Sequence, residues 1–85
     1  MLKKVTSAQI RAARGLLNWT VRDLAEKSGV HHNTITRAEA NDKGPGYALS
    51  AICDALEMGG VIFVDSDDEG PGVRLKKKDE NAEGQ

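Results

Sequence analysis

The chain has 85 residues, of which 39% are hydrophobic and only 4% aromatic, so it can form one domain whose core rests on Leu, Ile, Val and Ala. Its single cysteine, Cys53, excludes an internal disulfide and a zinc site of several cysteines, and no apolar run predicts a signal peptide or a membrane span, so we expect a cytosolic protein. The net charge of −1 hides an asymmetry: residues 1–41 carry seven Lys/Arg against three Asp/Glu and could face an anion, whereas residues 42–75 carry two against seven.

Two helix starts can be identified from capping residues. In "VTSAQI", Thr6 is followed three residues later by Gln9, which is a capping box, and apolar residues then recur at helical spacing. This predicts a first helix from Ser7 to Leu17. The segment "TVRD" repeats the device with Thr20 as the N-cap, which predicts a second helix from Val21 to Ser28.

The rest of the chain changes period after residue 60. Apolar residues at helical spacing predict a third helix over residues 32–40 and a fourth over residues 47–58, separated by the helix-breaking "GPG". The segment "VIFV" (61–64) is β-branched and aromatic, and "VRLKK" (73–77) alternates apolar and basic residues. Both indicate strands, which would form a hairpin.

Residues 21–40, "VRDLAEKSGVHHNTITRAEA", have the spacing of two short helices joined by a tight turn. Ala25 is a small residue where the helices would cross, and Gly29 allows the chain to reverse without a Cβ clash. The side chains that would then point inward together are all apolar: Leu24, Val30, Ile35 and Ala38. This combination predicts a helix-turn-helix unit, which is a DNA-binding motif.

The segments "IRAARGLLNWTVRDLAEKSGV", "TITRAEA" and "LSAICDAL" resemble the Cro/repressor (XRE) helix-turn-helix family from about Val5 to Leu56. The resemblance implies a mainly α fold whose third helix lies in the major groove of DNA. The family usually has five helices, whereas this sequence predicts a four-helix, lambda-repressor-like domain over residues 1–60 and a C-terminal β-hairpin over residues 61–77. The polar residues 78–85 are predicted to be a disordered tail.

Four polar residues of the third helix fall opposite its apolar side: His32, Asn33, Thr36 and Arg37. Asn can pair bidentately with adenine and Arg with guanine, and His can donate to guanine or to a phosphate. The resemblance implies that His32, Asn33 and Arg37 occupy the family's main base-reading positions. We expect all four to contact bases of double-stranded DNA, with His31 at the helix cap. From the residues alone, a solvated polar face is the alternative.

Thr20, Arg22 and Lys43 are predicted to contact phosphates. Thr20 lies at a helix N-terminus, where free N–H groups and the helix dipole favour an anion, and the resemblance implies that Lys43 lies in a loop that follows the DNA backbone. The resemblance also implies that Arg14 and Glu39 form an ion pair between the first helix and the end of the third. We expect this pair to be structural, and a phosphate contact is the alternative for Arg14.

The predicted hairpin is expected to form a homodimer. An isolated two-stranded hairpin is at best marginally stable in water, and "VIFV" is apolar on both faces with an edge open to pairing. The predicted interface comprises Val61, Ile62, Phe63, Val64, Val73 and Leu75. The dimer would bind an inverted-repeat operator as a sequence-specific transcriptional regulator, and we expect it to act as a repressor.

Two other functions remain open from the sequence. One is the antitoxin of a toxin–antitoxin pair, whose hairpin would hold the toxin, and the other is a protein-interaction module that has kept the fold but lost DNA binding. Adjacent helical residues point about 100° apart, so His31 and His32 are poor partners for one metal ion. No nucleophile is paired with a base. We therefore expect no metal, no cofactor and no enzyme activity.

Overall fold

The fold consists of four short helices followed by an antiparallel hairpin. The computed structural model describes residues 5–41, 46–64 and 70–76. The elements are α1 (Ser7–Leu17), α2 (Val21–Ser28), α3 (His32–Asn41), α4 (Gly46–Met58), β1 (Val61–Val64) and β2 (Gly72–Leu75). This confirms the predicted fold class. The bounds of α1, α2 and β1 are the predicted ones, and α3 and α4 are each one residue longer than predicted. Strand β2 runs from Gly72 to Leu75 rather than over residues 73–77. Lys43 and the predicted tail lie outside the described residues.

Both predicted capping boxes are present. At α1, the Gln9 N–H donates to Thr6 Oγ1 at 3.1 Å, and the Thr6 N–H donates to Gln9 Oε1 at 2.9 Å. At α2, the corresponding bonds between Thr20 and Asp23 are 3.0 and 2.9 Å long. Each box satisfies N–H groups that a helix N-terminus otherwise leaves unpaired, which fixes where the two helices begin.

The first two helices each end on a residue in the left-handed region. Asn18 ends α1 with φ of 58°, a conformation that asparagine adopts more readily than most residues. Gly29 ends α2 with φ of 76°, and its N–H donates to Ala25 O at 2.9 Å. The reversal at Gly29 turns the chain directly into α3, as predicted for the helix-turn-helix unit.

One core joins the helices to the hairpin. Its buried residues come from all six elements except β2 and include the four inward positions predicted for the helix-turn-helix unit: Ile10, Ala13, Leu24, Val30, Ile35, Ala38, Ala48, Ile52, Ala55, Leu56, Val61 and Phe63. Small alanines at four of these positions let short helices approach closely. The absence of large aromatic side chains from all but one position agrees with the composition of the chain.

The hairpin buries one of its faces against the helices. β1 pairs with β2 in antiparallel register, with Ile62 opposite Arg74. Val61 and Phe63 are buried in the core, whereas Ile62 is 43% and Leu75 is 47% exposed. This corrects the expectation that all six apolar residues of the hairpin lie in a dimer interface, because Val61 and Phe63 are already covered by the chain's own helices.

Gln9 also fixes the hairpin to α1. Its side chain is buried, and its Nε2 donates to Gly72 O at 2.8 Å and to Val64 O at 3.3 Å. Val64 and Gly72 face each other at the end of the ladder nearest the turn. One side chain of α1 therefore contacts both strands.

The capping box of α2 should make the stability of the fold fall as the pH becomes acidic. The two hydrogen bonds from Thr20 lower the pKa of the Asp23 carboxyl from its ordinary value of 3.8. A lowered pKa in the folded state stabilises the fold above the unfolded-state pKa, and this contribution is lost as the pH falls through the folded value. We expect Asp23→Asn to melt below the wild type at about pH 6, and the difference between their melting temperatures to shrink towards about pH 3. Equal differences at both pH values would contradict this role for the carboxylate.

Candidate nucleic-acid interface

The four candidate base-reading residues lie on one exposed face of α3. The side chains of His32, Asn33, Thr36 and Arg37 are all exposed. On the opposite side of the helix, Ile35 and Ala38 are buried in the core. This burial fixes the rotation of α3 about its own axis, so the polar face points away from the protein.

His31 caps the N-terminus of α3 with its imidazole ring. The Asn33 N–H donates to His31 Nδ1 at 3.1 Å, and the N–H groups of Thr34 and Ile35 donate to His31 O at 2.9 and 3.2 Å. The ring of His31 stacks on that of His32, with centroids 4.4 Å apart and planes at 25°. Since Nδ1 accepts a hydrogen bond, the proton of the neutral ring lies on Nε2. The start of α3 therefore carries two stacked rings, of which that of His32 belongs to the exposed polar face.

Thr36 has one of its hydrogen-bonding functions already in use. Its Oγ1 donates to His32 O at 3.0 Å, within the helix. The hydroxyl can still accept a hydrogen bond, and the methyl group is free to make an apolar contact, such as that with the methyl group of thymine. Arg37 lies one residue further along the exposed face and carries a guanidinium that can bind bidentately.

Arg14 and Glu39 form a two-pronged ion pair between α1 and α3. Arg14 Nε donates to Glu39 Oε2 at 2.8 Å, and Nη2 donates to Oε1 at 3.1 Å. The third nitrogen, Nη1, donates to Trp19 O at 3.0 Å. The hydrogen bonds to Glu39 raise the pKa of the Arg14 guanidinium. All three nitrogens have partners within the protein, and these bonds use three of the five N–H groups of the guanidinium. We keep the structural interpretation of Arg14 as a prediction.

Two further residues of α1 hold α3, and neither was predicted from the sequence. Ser7 Oγ donates to Ala38 O at 2.6 Å, and Arg11 Nη1 donates to Glu39 O. With Arg14, they occupy positions i, i+4 and i+7 of α1, which form one stripe on a helix. A polar stripe on a helix that otherwise packs into the core was the available signal. Ser7 and Arg11 therefore each satisfy one carbonyl group in the last turn of α3, those of Ala38 and Glu39.

Two of the three candidate phosphate contacts, Thr20 and Arg22, lie at the start of α2. Thr20 and Arg22 are exposed, and Lys43 lies outside the described residues. Thr20 Oγ1 accepts the Asp23 N–H, and the Thr20 side chain also hydrogen-bonds the Asp23 carboxyl, so a phosphate would compete with Asp23 for the hydroxyl proton. Because Thr20 is also the N-cap of α2, Thr20→Ala would cost about 0.5–2 kcal/mol of stability and would not test a phosphate contact cleanly. Arg22, which has no capping role, is the better position.

A comparison with protein-family models identifies the fold of this interface. Residues 10–57, more than half of the chain, match the helix-turn-helix family model. No curated protein was matched in a search by sequence similarity. Within the residues that the structure describes, no helix is both long and apolar enough to cross a membrane. The matched range contains α2, the turn and α3 together with most of α1 and α4. The chain therefore belongs to the Cro/repressor (XRE) family of DNA-binding helix-turn-helix regulators.

Proposed function

We propose that the protein is a transcriptional repressor that binds an inverted-repeat operator in double-stranded DNA as a homodimer. The observation that carries the proposal is the exposed face of α3, where His32, Asn33, Thr36 and Arg37 point away from a core that holds the other side of the helix rigidly. A rigid helix can place hydrogen-bonding side chains against base edges with little loss of conformational entropy.

The four candidate residues suit guanine, adenine and thymine between them. Arg37 can donate two hydrogen bonds to O6 and N7 of guanine, and Asn33 can pair with N6 and N7 of adenine. His32 can donate to guanine, and Thr36 can contact the methyl group of thymine. The operator half-site should therefore contain at least one guanine and one adenine at fixed separation.

Phosphate contacts would come from the basic N-terminal half of the chain. Thr20 and Arg22 lie at the start of α2, whose N-terminal N–H groups and dipole favour an anion. Lys43, which follows α3 in the sequence and lies outside the described residues, is the third expected contact to the DNA backbone. Such contacts set the register of a protein on the duplex without reading its sequence.

The dimer would form through the hairpin, and the β2 edge is its most accessible part. The Lys76 N–H donates to Gly60 O, which makes residues 60 and 76 a hydrogen-bonded pair. In an antiparallel ladder such pairs alternate, so the N–H and C=O groups of Val73 and Leu75 point away from β1. Leu75 is exposed, whereas Val61 and Phe63, the β1 residues opposite Leu75 and Val73, are buried. Two β2 edges related by a two-fold axis would make one four-stranded sheet.

Proline at position 75 tests this edge. Leu75→Pro removes the outward N–H and leaves the bonds between β1 and β2 in place, so we expect a folded monomer with sharply weaker operator binding. Leu75→Ala is the matched control, because it removes the side chain and keeps the N–H. Light scattering would show whether each variant is a monomer or a dimer, and thermal melts would show whether it is folded. A proline variant that stays dimeric would show that the β2 edge is not the interface.

The function itself is tested by selecting bound sites from a random DNA pool with the full chain. Enrichment of an inverted repeat, with repression of a reporter gene placed behind that repeat, is the expected result. If no motif is enriched, or if the wild type is a monomer at concentrations well above those that give operator binding, the proposal is wrong.

A further inference from the structure

Helix α1 connects the recognition helix to the hairpin. On one side it holds the end of α3 through the Arg14–Glu39 pair and the bond from Ser7 to Ala38 O. On the other side it holds both strands of the hairpin through Gln9. In the proposed dimer, the position of each recognition helix relative to the two-fold axis is therefore transmitted through α1.

The amide of Gln9 carries out two tasks that no other side chain of its length could combine. Its Oε1 accepts the Thr6 N–H at 2.9 Å, which completes the capping box, and its Nε2 donates to Gly72 O at 2.8 Å and Val64 O at 3.3 Å. Glutamate caps a helix equally well from this position. A carboxylate, however, has no donor for the two carbonyl groups and would place its charge against them.

We propose that Gln9 is a positioning residue that sets the spacing between operator half-sites by fixing the angle of the hairpin on α1. This inference rests on the proposed homodimer. It extends that proposal because it assigns the choice of spacing to a residue that touches neither DNA nor the partner's hairpin. Gln9 is buried, and its bonds join residues 55 and 63 positions apart in the chain.

A small change in this angle has a large consequence on DNA. One base pair advances the groove by about 3.4 Å and rotates it by about 35°, so half-sites one base pair too far apart meet the second recognition helix at the wrong face. A dimer whose hairpins are held rigidly should bind one spacing strongly. A dimer whose hairpins can tilt on α1 should bind neighbouring spacings almost as well.

The test uses Gln9→Glu, with Thr6→Ala as its matched control. Gln9→Glu keeps the cap and loses the bonds to the hairpin, whereas Thr6→Ala weakens the cap and keeps those bonds. Gln9→Met, which removes the donor and the capping oxygen without adding a charge, is the second variant in case the glutamate variant does not fold. Binding is measured on the inverted repeat that the wild type selects, and on the same repeat with one base pair inserted or removed at its centre.

The wild type and Thr6→Ala should lose about tenfold or more in affinity on the altered spacings, an effect comparable to a mismatched base pair. Gln9→Glu and Gln9→Met should lose less than about threefold, while an isolated half-site binds them like the wild type. If both Gln9 variants melt earlier but keep the spacing preference of the wild type, Gln9 is only structural and the inference is overturned. If the wild type selects no inverted repeat, the proposed function fails first, and this inference fails with it.

Discussion

Replacing Arg37 with alanine should weaken binding to the selected operator by about 1–3 kcal/mol and relax base preference at one position of each half-site. Arg37 is exposed on α3 and its side chain forms no hydrogen bond or ion pair within the described part of the chain, so the loss should come from DNA and not from the fold. Fluorescence anisotropy on the operator and on single-base variants would measure both effects. Unchanged affinity and specificity would exclude α3 as the reading helix.

Two matched variants make this result specific. Asn33→Ala removes a second reading side chain but keeps the cap of α3, because the bond to His31 uses the backbone N–H of Asn33. It should relax preference at a different base. Arg22→Ala should weaken all sequences about equally and reduce the dependence of log K on log salt by about one unit. If Arg22→Ala changed base preference as Arg37→Ala does, the division between reading and phosphate contacts would be wrong.

Elements with local signals could be predicted from the sequence. The capping boxes at Thr6 and Thr20 join residues only three positions apart, so the starts of α1 and α2 were predicted correctly. Gly29 ends α2 in the left-handed region because glycine has no Cβ. Asn18 does the same for α1, but asparagine is less diagnostic, and its role became apparent only in the structure.

Contacts between distant segments could not be predicted in the same way. The segment "VIFV" is apolar at every position, so no alternation indicates which face meets the helices. Val61 and Phe63 were therefore assigned to an interface, although they lie in the core. Ser7 and Gln9 donate hydrogen bonds to residues 31 and 63 positions away. A glutamine in a capping box does not indicate that its amide also bonds to a distant hairpin. The Arg14–Glu39 pair, 25 positions apart, was identified only through the family resemblance.

Replacing Arg14 with alanine should destabilise the fold by about 3 kcal/mol, near the lower end for breaking a buried ion pair. The side chain of Glu39 is only 9% exposed, so its carboxylate would remain buried without the guanidinium. A domain of this size melts about 4–8 °C lower for each kcal/mol lost, so the shift should exceed about 12 °C. Glu39→Ala should cost less, because Arg14 is 24% exposed and can turn towards water. Thermal melts followed by circular dichroism would measure both variants.

A second substitution distinguishes two causes of the lost stability: the unpaired Glu39 carboxylate and the lost packing of the arginine. In the double variant Arg14→Ala/Glu39→Gln, the buried carboxylate is replaced by a neutral amide of nearly the same shape. If the unpaired charge dominates the cost, the double variant should be more stable than Arg14→Ala alone, which is opposite in sign to additive losses. A double variant less stable than Arg14→Ala would instead mean that the arginine stabilises mainly through its bond to Trp19 O and its packing between α1 and α3. Thermal melts of the wild type, Arg14→Ala, Glu39→Gln and the double variant decide between the two explanations.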